Sequence, residues 1–134
     1  MPERVIKINE LTFSAAHYLK GHPKCNALHG HTYFVRNIEV LYDAPEGKFV
    51  DFSLIKAIVM ELDHRVLIPP EDSAFWLHQP TDAPCKFPFI EIFNDTTVEN
   101  IAEFLASVIK QIEYVKSVRL QVFEGPKQGA MVDL

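Results

Sequence analysis

Cysteine is scarce in this sequence: Cys25 and Cys85 are the only two among 134 residues. Two thiols make no disulfide framework, so stability must come from a packed core. Positive charge is also short. Thirteen Lys and Arg stand against 18 Asp and Glu, a formal net charge of −5. That excludes the basic face that a general nucleic-acid or membrane-surface binder needs. No apolar run approaches the ~20 residues that span a bilayer. The opening MPERVIKINE lacks the apolar stretch of a secretory signal. Repeats, low-complexity tracts and linkers are absent too. The expectation is one domain over residues 1–134, cytoplasmic, with a small molecule rather than nucleic acid or membrane as partner.

What is present is a globular balance, 48% hydrophobic and 23% charged, with clear periodic segments. Residues 4–17, RVIKINELTFSAAH, read as a strand rich in β-branched and apolar side chains. Gly21 and Pro23 break the pattern. HGHTYFVRNIEVLY reads as a second strand, with Phe34, Ile38, Val40 and Tyr42 on one face. The other face, Tyr33, Val35, Asn37 and Glu39, is mixed in polarity and suggests a surface met by a second copy. Residues 51–64 predict a helix capped by Asp51, with Phe52, Ile55, Val59 and Leu62 on its apolar side.

A second helix begins at TTVEN, where Thr96 and Glu99 have capping-box spacing and Val98, Ile101, Leu105, Val108 and Ile112 form the stripe. SVRLQVFEG alternates as a strand and GAMVDL offers a short last one. The order strand, strand, helix, helix, strand, strand predicts an α+β domain: an antiparallel four-stranded sheet with two helices on one face. Residues 68–95 resist assignment, carrying five prolines among several aromatics. So long a connection is unusual unless functional or packed on its own side chains.

The chemistry gathers in CNALHGH, Cys25 to His31. On a strand, residues two apart share a face, so His29 and His31 present both imidazoles together, and Gly30 leaves room for close approach. His17, ending the preceding strand, supplies a third nitrogen if the two strands pair. Three neutral imidazoles with an open fourth position describe a catalytic zinc site. Taken alone, HGH is as well read as a polar strand start. Cys25 admits two roles: fourth ligand of a structural site, closed with His17 or His22, or a thiol beside an open metal acting as base. Spacing does not choose between them. Cys85, in DAPCKFP, reads as a small buried hydrophobe.

Asp63–His64 falls at a helix end, where His is favoured by the dipole, or else forms a carboxylate-oriented proton carrier. Glu124 shares the parity of Val118, Leu120 and Val122. It is a solvated strand end or a carboxylate waiting for paired N–H donors.

FSAAH, the C-x3-HGH of CNALHGH, VDFSLIK, LDH, TTVENIA and VFEG occur in that order. Together they resemble the 6-pyruvoyl-tetrahydropterin synthase family. The gap between Cys25 and HGH is similar to that of its 6-carboxy-tetrahydropterin synthase branch, which feeds 7-deazaguanine (queuosine or archaeosine) synthesis. The resemblance implies the tunnelling fold and a homohexamer built as a dimer of trimers. It implies Zn2+ on His17, His29 and His31. Cys25 is then the base, completed by Asp63 and His64 of a neighbouring subunit. Glu124 holds the pterin edge and Thr97 lies near the ring. The implied substrate is 7,8-dihydroneopterin triphosphate, whose charge asks for a basic cluster. Lys20, Lys24 and Lys127 are the candidates that the sequence offers.

Overall fold

The computed structural model describes residues 3–79, 82 and 84–134. Two long strands form its spine. β1 (Arg4–His17) and β2 (His29–Tyr42) pair antiparallel along their whole length, from Arg4 opposite Tyr42 to His17 opposite His29. After β2 come α1 (Phe52–Met60), β3 (Val66–Ile68), a 3-10 turn at Pro70–Asp72, α2 (Ser73–Leu77), β4 (Phe89–Glu91), α3 (Val98–Lys110), β5 (Val115–Glu124) and β6 (Gly129–Asp133). The strand order across the sheet is β4-β3-β1-β2-β5-β6.

The four antiparallel strands expected from sequence are β1, β2, β5 and β6. The sheet differs by being six-stranded and mixed, because β3 lies parallel to β1 and β4 parallel to β3. Both additions fall in or beside the proline-rich stretch. Each is three residues long, too short for a period-two signal. β3 is buried at all three positions, so no alternation exists to read.

β2 corrects a second expectation. Its buried side chains run Tyr33, Val35, then Ile38, Val40 and Tyr42, so parity changes midway. A bulge lies between Arg36 and Glu39, and Asn37 sits there at φ +50. Asn tolerates this left-handed region better than most side chains. The residues that looked mixed are therefore split: Tyr33 and Val35 belong to the core, and Phe34 faces the other way. On that outer face the Arg36 guanidinium lies 4.8 Å from the ring centres of both Phe34 and Phe123.

Asp51 caps α1 as expected, its Oδ1 accepting from the Ser53 amide at 2.8 Å. The helix is shorter than the apolar pattern suggested. It ends at Met60, and Phe52 is exposed while Leu62 is buried from the turn beyond. α3 starts one residue later than the capping-box reading. Thr97, not Thr96, is the N-cap, its Oγ1 accepting from the Asn100 amide at 3.3 Å. The helix buries Ile101, Ala102, Leu105, Ala106 and Ile109 against β5 and β6.

The proline-rich stretch packs through a small second cluster of Val66, Ile68 and Trp76, with Tyr18 and Phe89 against it. Trp76 Nε1 donates to Tyr18 Oη at 3.0 Å, and Tyr18 Oη donates to Asp72 Oδ2 at 2.6 Å. Burial and that carboxylate push the Tyr18 phenol up to about 12. The segment thus grips the residue immediately after His17. Cys85 is exposed rather than buried. It lies between prolines on irregular backbone, where no periodicity turns a side group inward. No helix among the described residues is long and apolar enough to cross a membrane.

Candidate active site

Strand pairing assembles the site. His17 stands opposite His29, Ala15 opposite His31, and Tyr33 opposite Glu124. Cross-strand partners share a face, so β1, β2 and β5 deliver three imidazoles and one carboxylate to a single spot. One donor atom from each of His17, His29, His31 and Glu124 lies within 4.8 Å of all the others. Glu124 Oε1 is 2.8 Å from His31 Nε2 and 3.1 Å from His17 Nε2.

The tautomers are set from behind. His17 Nδ1 donates to the Thr96 carbonyl and His29 Nδ1 to the Ala27 carbonyl, both at 2.7 Å. Each ring therefore turns an Nε2 lone pair toward the centre, as metal-binding histidines do. Nε2 of His17 is buried without a hydrogen-bond partner. The residue is 1% exposed, and desolvation holds its pKa below the usual histidine value despite the opposing pull of the Thr96 carbonyl and Glu124. A neutral, buried imidazole whose lone pair faces a carboxylate oxygen is an unsatisfied pair of acceptors, and a cation satisfies both. The donor set fits a divalent metal, and its nitrogen-rich character suits zinc.

Cys25 lies outside this four-residue set. It is half-buried on the loop between β1 and β2, whose shape comes from its backbone. Leu19 N donates to the Cys25 carbonyl at 2.7 Å, and Cys25 N donates to His22 Nδ1 at 3.1 Å. His22 is thereby occupied as a turn brace, and the fourth member of the cluster is Glu124. Gly30 proves less constrained than expected: an added Cβ would meet only the Ala15 carbonyl at 3.7 Å.

Asp63 and His64 form a built pair beside β1. His64 Nδ1 donates to Asp63 Oδ2 at 2.8 Å, while Asp63 Oδ1 accepts from the Ser14 amide at 2.8 Å. His64 N donates to the Ser14 carbonyl at 2.6 Å, holding the residue at φ +60. A non-glycine residue there is uncommon and points to a constrained role. The Ser14 amide, then His64, hold the Asp63 carboxyl below the usual carboxylate range. Asp63 therefore stays ionised across neutral pH and presents His64 with its Nε2 outward. His64 lines a cavity of about 490 Å³ with Ser14, Gly30, Thr32 and part of His31. Ser14, Gly30 and Thr32 alternate to the face opposite the clustered histidines, while Ala15 and His31 bring the cluster's own face to the same cavity.

The model of the 6-pyruvoyl tetrahydropterin synthase family matches residues 7–133. The chain belongs to this family. It is 31% identical over 132 residues to the 6-carboxy-5,6,7,8-tetrahydropterin synthase of Haemophilus influenzae, covering 87% of this chain and 90% of that one. Among solved structures, the 6-pyruvoyltetrahydropterin synthase of Plasmodium vivax superposes with a TM-score of 0.64 at 19% identity, over 99% of this chain and 97% of that one. The Plasmodium falciparum enzyme gives 0.60 at 19% identity, over 98% of each. At that identity the likeness is one of fold.

Within the 6-pyruvoyl tetrahydropterin synthase fold, three features of this site lie beyond the roles assigned from sequence. Thr96 is wholly buried and supports two neighbours: its carbonyl takes His17, and its Oγ1 donates to the Tyr18 carbonyl at 3.0 Å. Tyr33 sits edge-on to His17 and His31, its ring centre 6.0 Å and 5.6 Å from theirs. Its hydroxyl is buried and unpartnered, and burial followed by the Glu124 charge pushes its pKa up. The period-two run His29, His31, Tyr33 could have found it. Glu124 beside the histidines could not be found without the β2–β5 register. Thr97 caps α3, next to the residue that orients His17.

Proposed function

We propose that this protein is a zinc-dependent 6-carboxy-5,6,7,8-tetrahydropterin synthase. It converts 7,8-dihydroneopterin triphosphate to 6-carboxytetrahydropterin, acetaldehyde and triphosphate, on the way to 7-deazaguanine nucleosides. The observation that carries the reading is the cluster of three histidines, two of them with fixed tautomers, in a protein 31% identical to a relative of that name. His17, His29 and His31 hold the zinc. When bound, zinc supplies Lewis acidity that makes a C–H bond in the substrate's three-carbon arm easier to ionise.

The protein's own groups do the rest. Cys25, as thiolate, takes the proton from that arm of the substrate. Asp63 keeps His64 oriented, and His64 carries the proton onward. Triphosphate departs by elimination, and one water then cleaves the bond between the first and second carbons of the arm. Its OH leaves a carboxylate on the ring carbon's substituent, and its H completes the acetaldehyde that is released. His64 is not among the converging donors of its own chain, and it acts on the cluster of another copy. A barrel-forming trimer, doubled to a hexamer, supplies that copy. The outer sheet face with Phe34, Arg36 and Phe123 is the surface that such a barrel covers.

Product analysis tests the reading. The zinc-loaded protein is expected to release acetaldehyde from dihydroneopterin triphosphate in step with triphosphate. A 6-pyruvoyl product without acetaldehyde would assign the protein to the other branch of the family. Absence of turnover would leave a zinc-stabilised binding protein.

Glu124 carries a separate prediction. With zinc on the imidazoles, its carboxylate is released from their lone pairs and meets the 2-amino and N3–H donors of the pterin. Glu124→Gln keeps the size but turns one acceptor into a donor. Pterin affinity is expected to fall about tenfold or more, the scale of a lost charge-assisted pair, with zinc retained. Zinc loss with pterin binding intact, measured by metal analysis and fluorescence titration, would make Glu124 a fourth ligand instead.

A further inference from the structure

A substrate carrying three phosphates needs positive charge, and one of the lysines suggested by sequence is already engaged. Lys20 is already tied to Asp72 and lies 3.6 Å from Glu71. The structure points elsewhere. In a protein of net charge −5, the cavity of about 490 Å³ beside β1 and β2 has no carboxylate among the described residues of its wall. Arg65, Lys86 and His64 line it, with Ser14 and Thr32 between them.

We propose that this cavity is an oligophosphate site, with Lys86 and Arg65 as its cationic contacts. The assignment of its ligand to the substrate's triphosphate rests on the function proposed above. Lys7, Lys20, Arg36, Lys116 and Arg119 are all held in ion pairs. Lys86 has no such partner among the described residues. Arg65 contacts Glu61 at 3.5 Å, across a largely solvated gap that a phosphate displaces at low cost. Its planar fork suits phosphate oxygens, and the Lys86 ammonium adds a point charge. The Asp63 carboxylate, next in sequence to His64, is occupied by that ring and the Ser14 amide.

The wall is built rather than incidental. Ala16 N donates to the Arg65 carbonyl at 3.0 Å, and Val66 N donates to the Pro88 carbonyl at 2.8 Å. These bonds fix the backbone on either side of both cations. Gln79 closes the Lys86 segment: its Nε2 donates to the Phe87 carbonyl at 2.7 Å, and its Oε1 accepts from Phe87 N at 2.9 Å. The proline-rich stretch therefore delivers Lys86 to the same cavity as His64. A triphosphate held here lies beside His64 on the face that meets another copy's pterin.

Calorimetric titration with inorganic tripolyphosphate tests the site, on the zinc-loaded oligomer with zinc content assayed before and after. Wild type is expected to bind. Lys86→Ala and Arg65→Gln should each weaken binding about tenfold or more, the scale of one charge-assisted hydrogen bond, and Lys86→Arg should retain it. Lys86 is exposed, so its variants should keep the wild-type melting temperature. With dihydroneopterin triphosphate, Lys86→Ala should raise KM by a similar factor and leave kcat unchanged. Loss of tripolyphosphate binding with KM unaltered would assign the site to released triphosphate alone. Lys86-dependent binding without any turnover would keep the site and overturn the proposed reaction. Turnover with no tripolyphosphate binding, or equal binding by wild type and both variants, overturns the site.

Discussion

Replacing Cys25 by Ala is expected to cut turnover by about 10²–10⁴-fold, the usual cost of losing a general base, while zinc stays near one per protomer. The expectation follows from Cys25 lying outside the side chains whose donor atoms converge. The cysteine loop keeps its shape through backbone bonds from Leu19 and to His22, none of which uses the thiol. His31→Ala should behave differently. It removes one of three imidazoles and uncovers Glu124 Oε1, now 2.8 Å from His31 Nε2. Metal content and activity should fall together. Metal analysis of both purified variants, with thermal melts alongside, separates base from ligand. Equal zinc loss in the two would make Cys25 a ligand and end the proposed mechanism.

Co-assembly of two inactive variants should restore activity. In the proposed mechanism Cys25→Ala and His64→Ala each remove one half of a site shared between two copies. Random assortment in a symmetric oligomer leaves roughly a quarter of the sites with both Cys25 and His64 intact. Each variant alone should be slower by about 10²–10⁴-fold, so a mixture refolded or co-expressed together should exceed either parent many times over. Light scattering of the same samples should show a trimer or hexamer. A monomer, or a mixture no more active than its parents, would confine Cys25 and His64 to one protomer. His64 would then have to reach its own histidines around the edge of β1.

The sites in these experiments differ in how far the sequence alone reveals them. His29 and His31 are legible because a strand repeats every two residues, and HGH places both on one face. His17 needed one further assumption, that β1 pairs β2, and the register meets it with His17 opposite His29. α3 is legible for the same kind of reason: thirteen residues are long enough to show a helical stripe. Its cap shifted by a single residue, within the spread that frayed helix ends allow.

Local pattern therefore determined the long elements, the clustered histidines, the family and the adjacency of Asp63 to His64. Tertiary structure alone decided the rest. The bulge at Asn37 reversed the faces of β2, because one left-handed residue shifts parity for everything after it. β3 and β4 gain their hydrogen bonds from strands distant in sequence and are too short to carry a period. Glu124 meets His17, and Lys86 shares a cavity with Arg65 and His64, across sequence separations that no local repeat spans. Such contacts depend on register and on crossing connections, which are set by the summed packing of the whole core rather than by any segment's own alternation.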